Sequence, residues 1–270
     1  AQPGELLGVH EAVLEDRLGD DAGAVGDRRQ RHHLRLQVGG KARVGGGLHV
    51  DAAQSLGALP FTFAELGADL LAFTGHKALY GPMGTGGLVI GERVDTDRLT
   101  PLLRGGTGSE SDSELQPDFL PDKFESGTLN VVGLAGLEAA VRWLQSQGVQ
   151  ALRERETQLT ARLIEGLLAI SGVRVQGPLD AHRQVPVVSF TIEGRDPGEV
   201  GLRLDEDFGI AARVGLHCSP LAHKTLGTYP RGTVRLSLGA FTTEREVDRA
   251  LQAVRRLSAQ YRGRRRSRSA

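Results

Sequence analysis

From residue 48 onward the chain alternates two hydrophobic periods, and that alternation sets the fold class. Short apolar runs of strand length are followed by longer segments with apolar residues every three or four positions. LHVDAAQ, ADLLAF and GGLVIGERV read as strands. GLAGLEAAVRWLQSQG reads as a helix, with Leu134, Leu137, Val141 and Leu144 on one face and Gly148 at its end. Residues 149–170 give a second helix, striped by Leu152, Leu159, Leu163 and Leu167. VRVQG and QVPVVSFTIEG are strands, and PGEVGLRLDEDFG is a helix opened by Pro197. IAARVG is a short strand, and TVRLSLGAF a strand with Val234, Leu236 and Leu238 on one side. The last helix opens with a capping box, Thr243 to Glu246, and carries Val247, Leu251, Val254 and Leu257 before a frayed basic tail, RGRRRSRSA. Strands alternating with helices predict an α/β architecture, with a domain change near residue 147.

Composition narrows the function classes. The 33 Lys and Arg balance the 33 Asp and Glu, so no bulk charge argues for nucleic acid or a membrane surface. The basic tail reads as a solvated terminus. No apolar run approaches a membrane span. The first residues show no basic stretch followed by an apolar one, so no signal peptide is visible. Cys218 is the single cysteine, which rules out a disulfide within the chain and suits a reducing cytoplasm.

Four places carry candidate chemistry. FTGHKALYGPMGTGG sets Lys77 at the end of a strand, ahead of a glycine-rich turn. That turn lacks the Gly-Lys-Ser/Thr of a Walker A loop and the third glycine of a dinucleotide fingerprint, which leaves a tight turn between strands. Lys77 is either a surface lysine or an amine able to form a Schiff base with an aldehyde such as pyridoxal phosphate. Such a cofactor also needs an acid partner for its ring and donors for its phosphate, and Asp51, Thr74 and His76 are of those types. Cys218, in IAARVGLHCSPLAHKTLGT, reads as an inert buried thiol, as a loop thiolate favoured by the neighbouring His217, or as part of a weak metal set with His217 and His223. Arg235 either lies on a solvated strand face or clamps a carboxylate.

Taken together, HVDAAQSLGALP, ADLLAFTGHKALYGPMGTGGLVIGE, GGTGSESD, LPDKFESGTLN, GLHCSPLAHKTLGT and GTVRLSLGAFTTEREVD, in that order, resemble the cysteine desulfurase branch of the class V aminotransferases. The resemblance spans residues 48 to 258. It implies an α/β fold of the type I pyridoxal-phosphate kind: a large domain with a mainly parallel sheet, a smaller α+β C-terminal domain, and a homodimer. It implies roles for single residues as well. Lys77 matches the Schiff-base lysine and proton shuttle, and Asp51 the acid paired with the pyridinium nitrogen. Gln54 matches the donor to the ring oxygen, and Thr74 and His76 the phosphate-side donors. Thr128 matches a threonine reaching the phosphate of the partner subunit. Arg235 matches the clamp for the amino-acid carboxylate, and Cys218 the loop cysteine that becomes a persulfide. The implied reaction converts L-cysteine to L-alanine, with a sulfur acceptor protein as a further partner. Selenocysteine lyase and plain aminotransferase chemistry are the alternatives, and a plain aminotransferase needs no thiol.

The resemblance departs at the front. The family's phosphate-cradling turn, its ring-stacking histidine and its early asparagine find no counterpart in residues 1–47, and His10, His32 and His33 take no role from it. The expected organisation is an atypical segment at 1–47, the remainder of a cofactor-binding domain at 48–147, a small domain at 148–262 and a basic tail at 263–270. The abrupt change near Leu48 and the missing initiator methionine suggest either a truncated chain with an out-of-frame opening segment, catalytically impaired or inactive, or a genuine short variant with a replaced N-terminus.

Overall fold

The computed structural model describes residues 41–44 and 47–268. The chain divides into two compact units between Val149 and Gln150. The atypical opening segment lies mostly outside the described residues, with one exception that its sequence did not announce. Lys41–Val44 forms a strand, β1, paired antiparallel with β2 (Gly47–Asp51). Only two residues, Gly45 and Gly46, separate them, too short a link for anything but a hairpin.

The first unit holds a four-stranded sheet in the order β1-β2-β3-β4, with β3 at Leu70–Thr74 and β4 at Gly86–Ile90. Its character is mixed. The β2–β3 pair is parallel, whereas β1 and β4 run antiparallel to their neighbours, because each is joined by a link that turns straight back. Parallel pairing of β2 and β3 needs a crossover, which residues 52–69 supply with a short helix, α1 (Phe63–Leu66), inside it. Thr62 and Glu65 close a reciprocal capping box on α1, and Gly67 ends it in the left-handed region. Leu48 and Val50 of β2, Leu71 of β3, and Ala52, Leu66 and Ala68 of the crossover form the core. Strand alternation turns His49 and Asp51 away from it.

Further along, α2 (Val131–Gln147) is capped by Asn130, whose Oδ1 accepts from the Gly133 N–H at 3.0 Å. Its buried stripe is Gly133, Leu137, Val141 and Leu144. Leu134, expected on that face, is exposed, because Gly133 takes the first buried position one residue earlier.

The second unit is a two-layer α+β body. Its sheet runs β5-β6-β8-β7, all antiparallel, from β5 (Val173–Gln176), β6 (Val187–Ile192), β7 (Arg213–Gly215) and β8 (Thr233–Ser237). Helices α3 (Val149–Leu168), α4 (Pro197–Phe208) and α6 (Glu244–Arg268) pack on one face. Leu163 and Leu167, Val200 and Leu204, and Val247, Leu251 and Val254 meet Val175, Val188, Phe190, Ile192, Val234 and Leu236 there. Alternation sends Gln176, Ser189 and Arg235 to the other face, where they sit side by side in register.

Several boundaries differ from expectation for identifiable reasons. A fifth helix, α5 (Pro220–Leu226), follows Cys218; Pro220 opens it and Gly227, at φ +70°, closes it. Strand β8 stops at Ser237, and Leu238 instead donates its N–H to the Pro186 carbonyl at 2.8 Å. The capping box forms at Thr243 and Glu246 as expected, but α6 runs on to Arg268, since the arginines of the basic stretch are good helix formers. Among the described residues, no helix is long and apolar enough to cross a membrane.

Candidate functional site

In the first unit, the parallel pair builds one cluster of candidate residues. Adjacent parallel strands end at the same sheet edge, and in α/β folds that carboxyl edge is where ligands bind. Asp51 is the last residue of β2 and Thr74 the last of β3. The Ala52 N–H donates to the Ala72 carbonyl at 2.8 Å, holding the two strand ends together. Asp51 is exposed at this edge, and its Oδ1 accepts from the Ala53 N–H at 2.9 Å, which fixes the carboxylate over the turn. Gln54 follows, exposed. Thr74 Oγ1 and His76 Nδ1 lie 2.8 Å apart, and both His76 and Lys77 are exposed.

Two glycines let the loops that carry these groups close on each other. Gly57 has φ +86°, and a Cβ there would lie 2.5 Å from the Ala78 carbonyl oxygen. The turn after Asp51 therefore packs directly against the backbone beside Lys77. Gly75 is buried against Thr85, where a Cβ would come within 2.1 Å of Oγ1. Its N–H donates to the Thr85 carbonyl at 2.8 Å, so the glycine-rich turn folds back under the Thr74–Lys77 segment. Thr128 is exposed on the loop ahead of α2, and no hydrogen bond or ion pair among the described residues ties it to this cluster.

These residues suit pyridoxal phosphate. A carboxylate, a primary amide, a hydroxyl, an imidazole and a primary amine stand at or just beyond one strand edge, on loops packed so closely that a Cβ at Gly57 or Gly75 would overlap its neighbours. A carboxylate can accept from a protonated ring nitrogen, the amide, hydroxyl and imidazole can donate to a ring oxygen and a phosphate, and an amine can condense with an aldehyde.

In the second unit, a separate cluster gathers around Cys218. Its thiol is free and exposed, and both His217 (φ +50°) and Cys218 (φ +61°) adopt left-handed backbone. For non-glycine residues that conformation costs roughly 1 kcal/mol or more each and is held by its surroundings. Those surroundings are visible. The Arg213 guanidinium donates from Nη2 to Sγ at 3.1 Å, and His217 Nε2 lies 2.9 Å from Thr233 Oγ1. His223, buried on α5, pairs its Nδ1 with Thr228 Oγ1 at 2.7 Å, and its ring stands 5.5 Å from that of His217. Arg213 and Arg235 are directly opposite in the β7–β8 register.

Electrostatics corrects one sequence-based expectation. The cation beside Cys218 is Arg213, not His217. Burial, reinforced by Arg235, His223 and Arg213, pushes the His217 imidazole down to about 4, so it is neutral near pH 7. Burial and Arg213 also lower the Arg235 guanidinium, while Cys218 acts in the opposite direction. Arg235 Nε and His217 Nδ1 are buried with no hydrogen-bond partner among the described residues. Among the described residues, no cluster of three or more His, Cys, Asp or Glu side chains could hold a metal ion. Arg213 escaped the sequence reading: five residues upstream on a short strand, it carried no motif of its own.

Comparison with known proteins places these features in a family. Residues 39–250 match the model described as Aminotransferase class-V, starting ahead of the Leu48 boundary read from the sequence. A probable cysteine desulfurase of Mycolicibacterium paratuberculosis is 39% identical over 219 residues, covering 80% of this chain and 31% of its own length. One of Methanothermobacter thermautotrophicus is 36% identical over 201 residues, covering 73% of this chain and 50% of that protein. Among solved structures, the apo cysteine desulfurase of Thermococcus onnurineus aligns with a TM-score of 0.71 at 36% identity, over 78% of this chain and 52% of that one. A cysteine desulfurase of Escherichia coli aligns at 0.67 and 30% identity, over 77% of this chain and 50% of that one. The chain thus spans about half or less of the length of these relatives. With the family model matched over most of its residues, the chain belongs to the class V aminotransferases.

Proposed function

We propose that the chain carries the residues of a pyridoxal-phosphate-dependent cysteine desulfurase, converting L-cysteine to L-alanine with a persulfide left on Cys218. The observation that carries this reading is the exposed Cys218 thiol, held on a left-handed turn with the Arg213 guanidinium on its sulfur. A transaminase has no use for such a thiol, and the similar relatives are named as cysteine desulfurases.

When bound, pyridoxal phosphate supplies an aldehyde and an electron-withdrawing ring. The residues present in this chain then take the following roles. The Lys77 amine anchors the cofactor and takes the Cα proton of the substrate. The Asp51 carboxylate, oriented by the Ala53 N–H, pairs with the ring nitrogen and keeps it protonated. Gln54 donates to the ring oxygen, and Thr74 with His76 faces the phosphate. Thr128 serves the phosphate of a second subunit in a homodimer. Arg235, whose Nε has no hydrogen-bond partner within the protein, receives the substrate carboxylate. Cys218 Sγ takes the sulfur. In net terms one thiol and one cysteine give one persulfide and one alanine, with no outside oxidant. A reducing cytoplasm fits the free thiol.

The test begins with cofactor attachment. Purified protein is incubated with pyridoxal phosphate, reduced with borohydride, digested and examined by mass spectrometry. A phosphopyridoxyl group on Lys77 is expected. Addition of L-cysteine to the unreduced protein then yields alanine and a persulfide on Cys218, and Cys218→Ala abolishes the persulfide. A folded sample with no label on Lys77 would overturn the reading.

A further inference from the structure

The short edge strand of the second sheet meets its neighbour late. The β7–β8 ladder stops at Arg213 opposite Arg235. Upstream of it, Gly209 (φ +60°) closes α4, and Ile210 donates its N–H to the Leu204 carbonyl at 2.8 Å, which ties this segment to the helix instead of the sheet. Strand β8 meanwhile stays with its other neighbour: Leu238 donates its N–H to the Pro186 carbonyl at 2.8 Å. The two segments part, and a cavity of about 350 Å³ opens there. Leu163 of α3, Leu236 of β8, and Val247 and Ala250 of α6, all buried, line it with apolar side chains, and Ala211 and Ser237 line it from the two parted segments. All of these residues belong to the second unit.

Hydrogen-bond alternation identifies what Ser237 offers to this cavity. Along a strand in an antiparallel sheet, successive residues send their N–H and C=O to opposite neighbours. Leu238 points its N–H at the β6 side, so Ser237 directs both of its backbone groups to the β7 side. In register, Ala211 would be the residue opposite it, but the ladder has already ended and no hydrogen bond joins the two. A donor and an acceptor thus stand side by side on one exposed residue, next to an apolar hollow. The charged side chains that also line the cavity are engaged elsewhere. Glu246 accepts from the Thr243 N–H and hydroxyl, both at 2.8 Å, and Arg249 donates to the Phe208 carbonyl.

We propose that this cavity binds a small, neutral, planar aromatic ring that carries an N–H and a C=O on adjacent atoms, the edge shared by lactams and nucleobases. The ring enters among Leu163, Leu236, Val247 and Ala250, and its edge completes the hydrogen-bonded pair that Ala211 leaves unmade with Ser237. Apolar walls with a few convergent polar groups are the make-up of a small-molecule site, and the volume, near the lower end of the roughly 300–1,000 Å³ usual for such sites, suits one or two fused rings. The ligand is neutral because Glu246 and Arg249 oppose each other in sign and already hold partners. Leu163 and Leu236 belong to the core between sheet and helices, so the cavity lies on the face away from Arg235 and the proposal stands apart from the desulfurase reading.

The experiment titrates the isotope-labelled full chain with three probes and follows its amide NMR signals. The probes are isoquinolone, a neutral bicyclic lactam; its N-methyl derivative, which keeps the ring and loses the donor; and naphthoate, of like size but negatively charged. Isoquinolone should bind with a Kd below about 1 mM, within reach of a fragment of that size, and shift the amide signals of Ser237 and Ala211. The N-methyl derivative should bind about tenfold more weakly, since it leaves the Ser237 carbonyl unpaired. Naphthoate should be weaker by at least about tenfold, because its charge finds no free cation to meet it. Ala250→Met, which narrows the cavity, should weaken isoquinolone about tenfold, with a thermal melt to verify folding; the comparison of lactam with N-methyl lactam needs no variant. A folded chain that shows no shift with isoquinolone, equal affinity for the N-methyl derivative, tighter binding of naphthoate, or shifts confined to other residues would overturn the proposal. So would tighter binding of an extended apolar peptide, which would make the gap a strand-docking edge.

Discussion

Arg213 and Cys218 are joined across a five-residue separation, Nη2 donating to Sγ at 3.1 Å, with Arg235 directly across from Arg213 in the sheet. The sulfur therefore sits in a positive field that no carboxylate ion pair offsets among the described residues. Negatively charged reagents should reach it preferentially. We expect alkylation by iodoacetate, relative to iodoacetamide, to be favoured roughly threefold to tenfold over an unstructured cysteine peptide at low salt, and Arg213→Ala to remove most of that preference. Paired alkylation rates at two salt concentrations measure it.

Gly57 is the hinge point between the Asp51 turn and the Lys77 loop. Alanine there meets the Ala78 carbonyl at 2.5 Å and must also hold φ +86°. Gly57→Ala should destabilise the protein by about 2–3 kcal/mol, read from urea unfolding, a size typical of strain plus overlap with backbone. Since the two loops would be forced apart, phosphopyridoxyl labelling of Lys77 should fall with it. Stability unchanged within error would mean the two loops do not close as described.

Glu156 is buried on α3, and burial raises its carboxyl to about 7, despite Arg153 and Arg155. The native state thus holds a proton between about pH 4.5 and 7 that the unfolded chain has released. Stability must fall as pH rises through that window, reaching its full loss above 7. Glu156→Gln should remove this slope and raise stability at pH 8 by about 1–2 kcal/mol, with denaturant melts at pH 5, 6.5 and 8 as the check.

His217 gives the opposite slope. Its imidazole is held near 4 in the native state, so below about 6.5 the unfolded chain binds the extra proton. Its contribution is present in full above that value and is lost as pH falls toward 4. Proton NMR of the ring should show no titration of His217 between pH 8 and 5.5. A midpoint near 6.5 would contradict the burial described for it.

The sequence disclosed most of the skeleton because hydrophobic period survives in the folded state. The stripe at Leu159, Leu163 and Leu167 and the capping box at Thr243 are local patterns and appear where expected. What stayed hidden depends on pairing across the chain. Strand β1 is four residues long and is defined by its register with β2 rather than by its own composition. Helix α5 is seven residues, too short to show a period, although Pro220 and Gly227 mark its ends. At the site, residue types at Asp51, Thr74, His76 and Lys77 were legible, but their meeting at one edge follows from the parallel register of β2 and β3. The part played by Arg213 follows from a turn that closes in three dimensions, and the neutral state of His217 from burial; neither is written in the order of the residues.

On β8, Val234 and Leu236 are sealed in the core while Arg235, between them, faces the other way. A shift of one residue in the pairing of that strand would exchange these positions, burying a guanidinium and exposing two aliphatic side chains. The error would be too costly to persist. The aim of the arginine is therefore indexed by its neighbours: a chain that has packed its core correctly has, by the same act, set the direction of the guanidinium proposed to receive the carboxylate, and misassembled copies remove themselves from the folded pool.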